Sequence, residues 1–491
     1  MEKIKEMWKE HPLALILASS IFFRLIAVLF AKGYGMHDDH FLVLEWAKNM
    51  MEGVKPDRSN PAGHSLIYPG LHYLVMVLFK KLNLYKPDFL MYVFRFLHAA
   101  LSMITVYYGY KTVLFRYGKK LAAEAGLLMA IFWIFPFMSV RNLIEMVCIP
   151  FIMLAAYILV KYEDQKKLLQ TFYAGLFLGL AFTFRYQTNL FIIGFVGLLL
   201  FRKDLRAAVL LSCGFLVSSF LIQGITDWIA YGYPYASFIH YFFDNSSNAY
   251  NYTTAPWYVY IFTIMGILIP PTSLLIMFGF LRQWKKWSIL FWPTLIFLVF
   301  HSIFPNKQER FILPAIPVFI IVGIVGWREF VSNSAFWSKH NKIHDGLWKW
   351  FWVLNTVLLL VASTTYSKRA RVEVMKYFYG RNDVSAILLE TSDSGIPYLP
   401  TFYMDNEVPM YMMTRYAGVD SIKAELEKGV KPNYLVMMNN KRMEERFERL
   451  DQLFPQREKV AVINPSFADQ LLYFLNPRHN INQQCIIYKV N

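Results

Sequence analysis

From residue 12 to residue 366 the chain keeps returning to apolar stretches long enough to cross a bilayer. That recurrence constrains the fold more than any single motif. In hydrocarbon every backbone amide must find its partner within the chain, so such stretches are helical spans. Of the 491 residues, 56% are hydrophobic and only 17% are charged, less charge than soluble domains carry. The chain therefore reads as an all-α polytopic membrane protein.

Basic loops orient the spans. Lys3, Lys5 and Lys9 precede the first apolar run. Later clusters are Arg116/Lys119/Lys120, Lys161/Lys166/Lys167, Arg202/Lys203/Arg206, Arg282/Lys285/Lys286, and Arg328 with Lys339, Lys342 and Lys349. Two apolar stretches separate each cluster from the next, so all fall on the cytoplasmic side. The pattern predicts about eleven transmembrane helices, near 12–31, 89–115, 121–138, 144–160, 168–183, 189–201, 207–226, 257–281, 287–304, 311–327 and 348–366. The N-terminus is then inside and the C-terminus outside. Residues 66–80 are also apolar, but a full span there breaks the alternation. They are expected as a helix lying in or against the membrane, within a first outer loop of 32–88.

The net charge of +16 follows from these loops, and no nucleic-acid partner is needed to explain it. Cys148, Cys213 and Cys485 suggest neither a disulfide framework nor a cysteine metal site. The first apolar run has no small-residue cleavage site, so it reads as a retained span. Beyond residue 367 the pattern changes. Period-two apolar stretches near 385–389, 434–438 and 484–490 read as strands, and 422–428 and 442–453 as helices. A small extracytoplasmic α/β domain over 368–491 is expected, behind a transmembrane domain over 1–367.

The outer loops carry the unusual chemistry. Directly after the first span stand His37, Asp38, Asp39 and His40, with Glu45 following. Adjacent carboxylates raise one another's pKa, and a nearby low-dielectric slab adds to that. The stretch reads either as the acid/base centre of an enzyme or as a solvated acidic loop. The same face holds Arg58, Arg141 with Glu145, Arg185, and the run Lys307, Glu309 and Arg310. Basic groups on the outer face run against the topological bias. Together with the acidic pair they suggest a site that handles an anion beside a base. The short spacing also allows Glu45 to pair with Lys48, and Arg141 with Glu145, as helix-face ion pairs. Arg24 lies mid-span and must face the protein interior.

The order of these motifs resembles glycosyltransferase family 22. Those are the GT-C-fold α-mannosyltransferases of the asparagine-linked glycan and GPI-anchor pathways, with bacterial relatives. The similarity runs over about residues 12–330. It rests on the acidic stretch Met36-His37-Asp38-Asp39-His40-Phe41 with Glu45, and on Arg58-Ser59 with Tyr68-Pro69. It continues through Arg141-Asn142-Leu143-Ile144-Glu145, Phe184-Arg185, the 231–258 loop, and Asn306-Lys307-Gln308-Glu309-Arg310-Phe311. Asp38 takes the place of the family's catalytic Asp and Asp39 that of its Glu. His37 replaces the family's Pro, and Asn306 stands where it usually has His. An outer α/β domain is not general among eukaryotic members, so the resemblance points to a bacterial or divergent member in the inner membrane, or in the ER membrane if eukaryotic.

The resemblance implies a polyprenyl-phosphate sugar donor, usually of mannose, and a glycan or glycolipid acceptor. An acceptor hydroxyl needs a positioned base. Asp38 is the first candidate and Asp39 the second, or its orienting partner. Lys307 and Arg310, then Arg185 and Arg58, are candidates to stabilise the leaving phosphate. Glu45, Arg141, Glu145, His37, His40 and Glu309 are expected in supporting or substrate-binding places. No cofactor is required, although an Asp38–Asp39 divalent-metal site stays open. No oligomer is indicated. A GT-C transferase of another sugar or aminosugar is the alternative, and a transporter is a more distant one.

Overall fold

Apolar composition and closed backbone hydrogen bonding produce helices through most of the first 364 residues. The computed structural model describes residues 2–35, 39–163, 165, 167–404, 407–478 and 480–490. His37 and Asp38 lie outside the described residues. Contacts divide the chain into two units. One comprises Met1–Leu29, Trp46–Leu84 and Met91–Ser363, and the other Phe30–Glu45, Tyr85–Leu90 and Thr364–Asn491. The second unit thus takes in the Asp39 region as well as the C-terminal residues.

Among the described residues six helices are long and apolar enough to cross a membrane: Pro12–Phe30, Pro87–Ile131, Ile144–Tyr162, Leu205–Tyr231, Glu309–Ser332 and Asn341–Thr364. The pair Val259–Ile267 and Thr272–Arg282, bent by 116°, makes a seventh if counted as one span. This measure does not reach the expected eleven, for two physical reasons. The stretches expected as spans near 168–183, 189–201 and 287–304 form helices of fewer than 18 residues, Leu168–Phe184, Tyr186–Phe201 and Ser288–Ile303. The stretches expected at 89–115 and 121–138 merge into the 45-residue Pro87–Ile131, broken by Gly118 at φ 78°. The apolar 66–80 stretch is a helix, Ile67–Lys81.

Two features of the first unit set the frame of the site. Helices Leu168–Phe184 and Leu205–Ser219 meet backbone to backbone. A Cβ on Gly175 would lie 2.2 Å from the Leu211 carbonyl oxygen, and one on Gly214 would lie 2.1 Å from that of Phe172. Small residues permit this approach where apolar lipid gives helices little other reason to associate. The second feature is Arg24, which is buried. It donates to Ser102 Oγ at 2.7 Å and to the Ala130 carbonyl at 2.9 Å, which satisfies a charge that hydrocarbon would penalise.

The second unit holds a five-stranded sheet in the order β2-β1-β3-β5-β4. The strands are β1 Ile387–Thr391, β2 Met410–Met413, β3 Tyr434–Met438, β4 Arg457–Ile463 and β5 Cys485–Val490. β1 pairs in parallel with β2 and β3, and β5 pairs antiparallel with β3 and β4. Leu388, Leu435, Met437 and Ile486 on one face pack with Ile422, Leu450 and Phe454. Strands β1, β3 and β5 and the helices Val419–Lys428 and Met443–Asp451 fall on the stretches read from the sequence, whereas β2 and β4 were not read there.

Candidate active site

In the first unit a short helix, Ile144–Val147, follows the bend that holds Arg141 and Asn142. It carries Glu145, which is fully buried. Arg185 leaves the end of the Leu168–Phe184 helix in extended conformation, on the helix pinned by Gly175. Its Nη1 lies 3.3 Å from Glu145 Oε1. Arg310 comes from the 3-10 helix Glu309–Ala315, and its Nε lies 3.4 Å from the same oxygen. All three are buried. Sequence spacing suggests an Arg141–Glu145 pair, but the ion pairs of Glu145 are with Arg185 and Arg310. The helix starts only at Ile144, so Arg141 has no helix face to share with Glu145. The Arg141 guanidinium lies 4.6 Å over the Phe137 ring.

Lys307 is buried as well. Its backbone N–H donates to the Thr253 carbonyl at 2.9 Å, and its ammonium donates to the Phe304 carbonyl. The ammonium stands 5.7 Å from the Tyr260 ring centre. Burial pulls the Lys307 pKa below its ordinary value, since desolvation disfavours the charged form. Tyr260 fixes this segment by donating to the Gln308 carbonyl and accepting its N–H, both at 3.1 Å. Glu309 is exposed, and Arg58 lies in the exposed 52–60 stretch, so neither joins this buried group.

A cavity of about 400 Å³ adjoins the cations. Gln187, Tyr241, His301 and Asn306 supply its polar wall, and Leu190, Ile193, Phe300 and Phe311 much of its apolar one. The Arg185 guanidinium lies 4.8 Å over the Phe311 ring, and Lys307 follows Asn306 in the chain. The cavity is therefore mainly apolar, and its lining residues Tyr186, Asn306 and Phe311 are the chain neighbours of Arg185, Lys307 and Arg310. His301 Nδ1 is held by the Phe297 carbonyl at 2.8 Å, and its Nε2 has no hydrogen-bond partner among the described residues.

His301 and Tyr241 were not singled out in the sequence, and Gln187 was read only as part of the Arg185-Tyr186-Gln187 loop. A histidine in an apolar run gives no local signal of the cavity it faces. A buried network was missed as well. Gln223 sits in a π-helical turn, Phe220–Gly224, a distortion that often marks functional segments. It donates to Tyr186 Oη at 3.0 Å and to Ser237 Oγ at 2.8 Å, and accepts from Ser65 at 2.6 Å. Ser237 in turn donates to Asp227 at 2.6 Å. The network holds Tyr186, beside Arg185, at the cavity edge.

In the second unit Asp39 is the first residue of the helix Asp39–Met51. His40 is buried, with its ring 4.8 Å from that of Phe41. Glu45 accepts hydrogen bonds from Tyr398 Oη at 2.6 Å and Thr401 Oγ1 at 2.8 Å. The Lys48 ion pair is with Glu52 at 3.7 Å, so Glu45 is drawn to hydroxyls distant in sequence and not to its helix neighbour. Among the described residues no group of three or more His, Cys, Asp or Glu side chains is placed to hold a metal ion.

The profile of the Alg9-like mannosyltransferase family matches residues 15–392. The chain belongs to that family. The match spans the acidic stretch, both arginines that face Glu145, Lys307 and β1. GPI mannosyltransferase 3 of Saccharomyces cerevisiae is 23% identical over 198 residues, covering 38% of this chain and 30% of the yeast protein. The chain thus aligns with under a third of that relative's length. Among solved structures, ArnT from Cupriavidus metallidurans bound to undecaprenyl phosphate superposes with a TM-score of 0.64 at 12% identity, over 97% of each chain. The Archaeoglobus fulgidus oligosaccharyltransferase, in complex with Zn and sulfate, gives a TM-score of 0.55 at 12% identity, over 90% of this chain and 69% of the other. Both are GT-C enzymes, and the likeness is one of fold. This member of the Alg9-like family is accordingly a multi-pass membrane protein of GT-C type with a small C-terminal sheet.

Proposed function

We propose that the protein is an inverting mannosyltransferase that moves a mannosyl unit from a polyprenyl-phosphate carrier to a hydroxyl of a glycan or glycolipid. The observation that carries this reading is an apolar cavity lined by Tyr186, Asn306 and Phe311, the chain neighbours of Arg185, Lys307 and Arg310, in a chain of the Alg9-like family. A polyprenyl phosphate joins an isoprenoid tail to an anionic head.

In the proposed step the acceptor oxygen bonds to the sugar's anomeric carbon. The bond from that carbon to the phosphate oxygen breaks, and polyprenyl phosphate leaves with the electron pair. Asp38 takes the hydroxyl proton, with Asp39 as its orienting partner or substitute. Negative charge grows on the departing phosphate, so cations fixed nearby favour the transition state over the ground state. Lys307 is the point charge, and the two arginines offer planar two-point contact. The basic-loop pattern favours the extracytoplasmic face, and the C-terminal α/β domain favours a bacterial inner membrane. No metal is needed while cations do this work.

The test uses the full chain in nanodiscs, sugar-labelled polyprenyl-phosphate mannose and a lipid-linked glycan pool. Label should pass to acceptor in wild type and be lost in Asp38→Asn. Lys307→Ala should lower kcat by about 10²–10³, the scale of one oxyanion donor, with unchanged melting temperature. Transfer only from a different polyprenyl-phosphate sugar sinks the mannosyl assignment and keeps the class. Full activity in both Asp38→Asn and Asp39→Asn sinks the assigned base.

A further inference from the structure

The helix Phe467–Leu475 in the second unit is two-faced in an unusual way. The face that carries Asp469 is turned to the protein. Asp469 is buried and accepts the backbone N–H groups of Lys368 at 2.8 Å and Arg369 at 3.0 Å. It also closes a capping box with Ser466. Its apolar side is bare. Phe467 is 79% exposed, Phe474 82% and Leu475 67%, with Leu471 exposed beside them. Positions 467, 471, 474 and 475 fall on one stripe of a helix. A contiguous apolar patch of this kind on a water-facing domain marks an interaction surface.

The chain's own connections say what covers it. Lys368 and Arg369, which Asp469 holds, come four and five residues after Thr364, the last residue of a helix long enough to cross the membrane. Four residues reach at most about 14 Å. Two further latches tie the same linker to membrane-crossing helices. The Ser367 N–H donates to the Lys32 carbonyl at 3.1 Å, two residues past the end of Pro12–Phe30. Lys376 pairs at 2.9 Å with Asp88, in the first turn of Pro87–Ile131. Three span ends therefore converge on the segment that anchors Phe467–Leu475, and the nine-residue helix is itself only about 13 Å long. Arg369 and Arg478 are exposed at the two ends of this assembly, suited to lipid phosphates.

We propose that the Phe467–Leu475 helix is an interfacial membrane anchor. Its Phe467/Leu471/Phe474/Leu475 stripe lies in the headgroup–acyl boundary of the bilayer and holds the C-terminal unit against the lipid surface. This assigns the domain a lipid partner independently of the reaction proposed above.

Spin labels on the full chain in proteoliposomes test the assignment. Cys213 is replaced by Ser, and the label is placed at Phe474→Cys or Leu475→Cys, with Glu427→Cys on an exposed helix of the same unit as the aqueous control. Both positions are exposed, so the substitutions leave the core intact. The ratio of oxygen to nickel-chelate accessibility should be several-fold higher at 474 and 475 than at 427. It should fall to the control value when Phe467 and Leu471 are both replaced by Asp. Equal ratios at 474, 475 and 427 would overturn the anchor. So would spin–spin broadening at 474 that vanishes on dilution with unlabelled protein, which would assign the stripe to a second copy of the chain.

Discussion

Each unit buries an arginine–carboxylate contact, and the two are built differently. In the second unit Arg446 is saturated. Its Nε donates to both oxygens of Glu390 at 3.0 and 2.8 Å, Nη1 donates to the carbonyls of Asn439 and Lys441 at 3.0 Å each, and Nη2 donates to Glu390 and to the Met438 carbonyl at 3.0 Å. In the first unit two guanidinium groups stand at 3.3 and 3.4 Å from a single oxygen of Glu145, and neither oxygen of that carboxylate has a hydrogen-bond partner among the described residues. The first arrangement spends every donor on fixing strand ends. The second gathers two cations on one oxygen of a buried carboxylate. A buried ion pair with full hydrogen bonding is an element of the fold, whereas a carboxylate shared between two cations suits a site whose charge must meet a ligand.

The sharpest way to break this contrast is Arg446→Leu. It strands Glu390 in the core and should cost about 3–5 kcal/mol, read as a lowered unfolding transition of the C-terminal unit. Adding Glu390→Leu should recover most of the loss. A cost below about 1 kcal/mol, the value of an exposed pair, would erase the distinction. Glu145→Gln should act oppositely. Transfer should fall by about tenfold, the worth of one charge-assisted contact, while the melting temperature moves little. A collapse of stability instead would make Glu145 another Glu390.

Lys307→Arg sharpens the role of the cations. Burial lowers the Lys307 pKa, so its charge is lost as pH rises earlier than for an ordinary lysine. Arginine stays charged. The alkaline limb of the pH–rate profile should therefore move to higher pH in the variant. An unmoved limb would dissociate Lys307 from that titration. Thr401→Val is the smallest change. It removes one of the two hydroxyls on Glu45 and should cost about 1 kcal/mol of stability, read by denaturant unfolding. A large loss of activity at unchanged stability would place Glu45 in the chemistry.

How much was legible in advance varies with the range of the interaction. Spans such as 12–31 and 348–366 announced themselves through length and hydropathy, and β3 and β5 through alternation. The cations Arg185, Lys307 and Arg310 stood out because the basic-loop pattern assigns them to the outer face, where positive charge is unfavoured, and their motif order carried the family. The partners were not legible. The spacing of Arg141 and Glu145 pointed to a pair that the helix start at Ile144 dissolves. Glu45 beside Lys48 pointed to a local bridge, while its hydrogen bonds come from Tyr398 and Thr401, over 350 residues away.

Composition and periodicity alone determined that this is a helical membrane protein with a small terminal sheet, because burial in lipid or in a sheet imposes period and length directly on the sequence. Tertiary structure alone decided that Glu145 gathers Arg185 and Arg310, that His301 and Gln187 face one cavity, and that Asp469 turns a bare apolar stripe outward. Those are meetings between segments far apart in the chain, and a side chain's own sequence neighbours carry no energetic trace of the partner that will desolvate it.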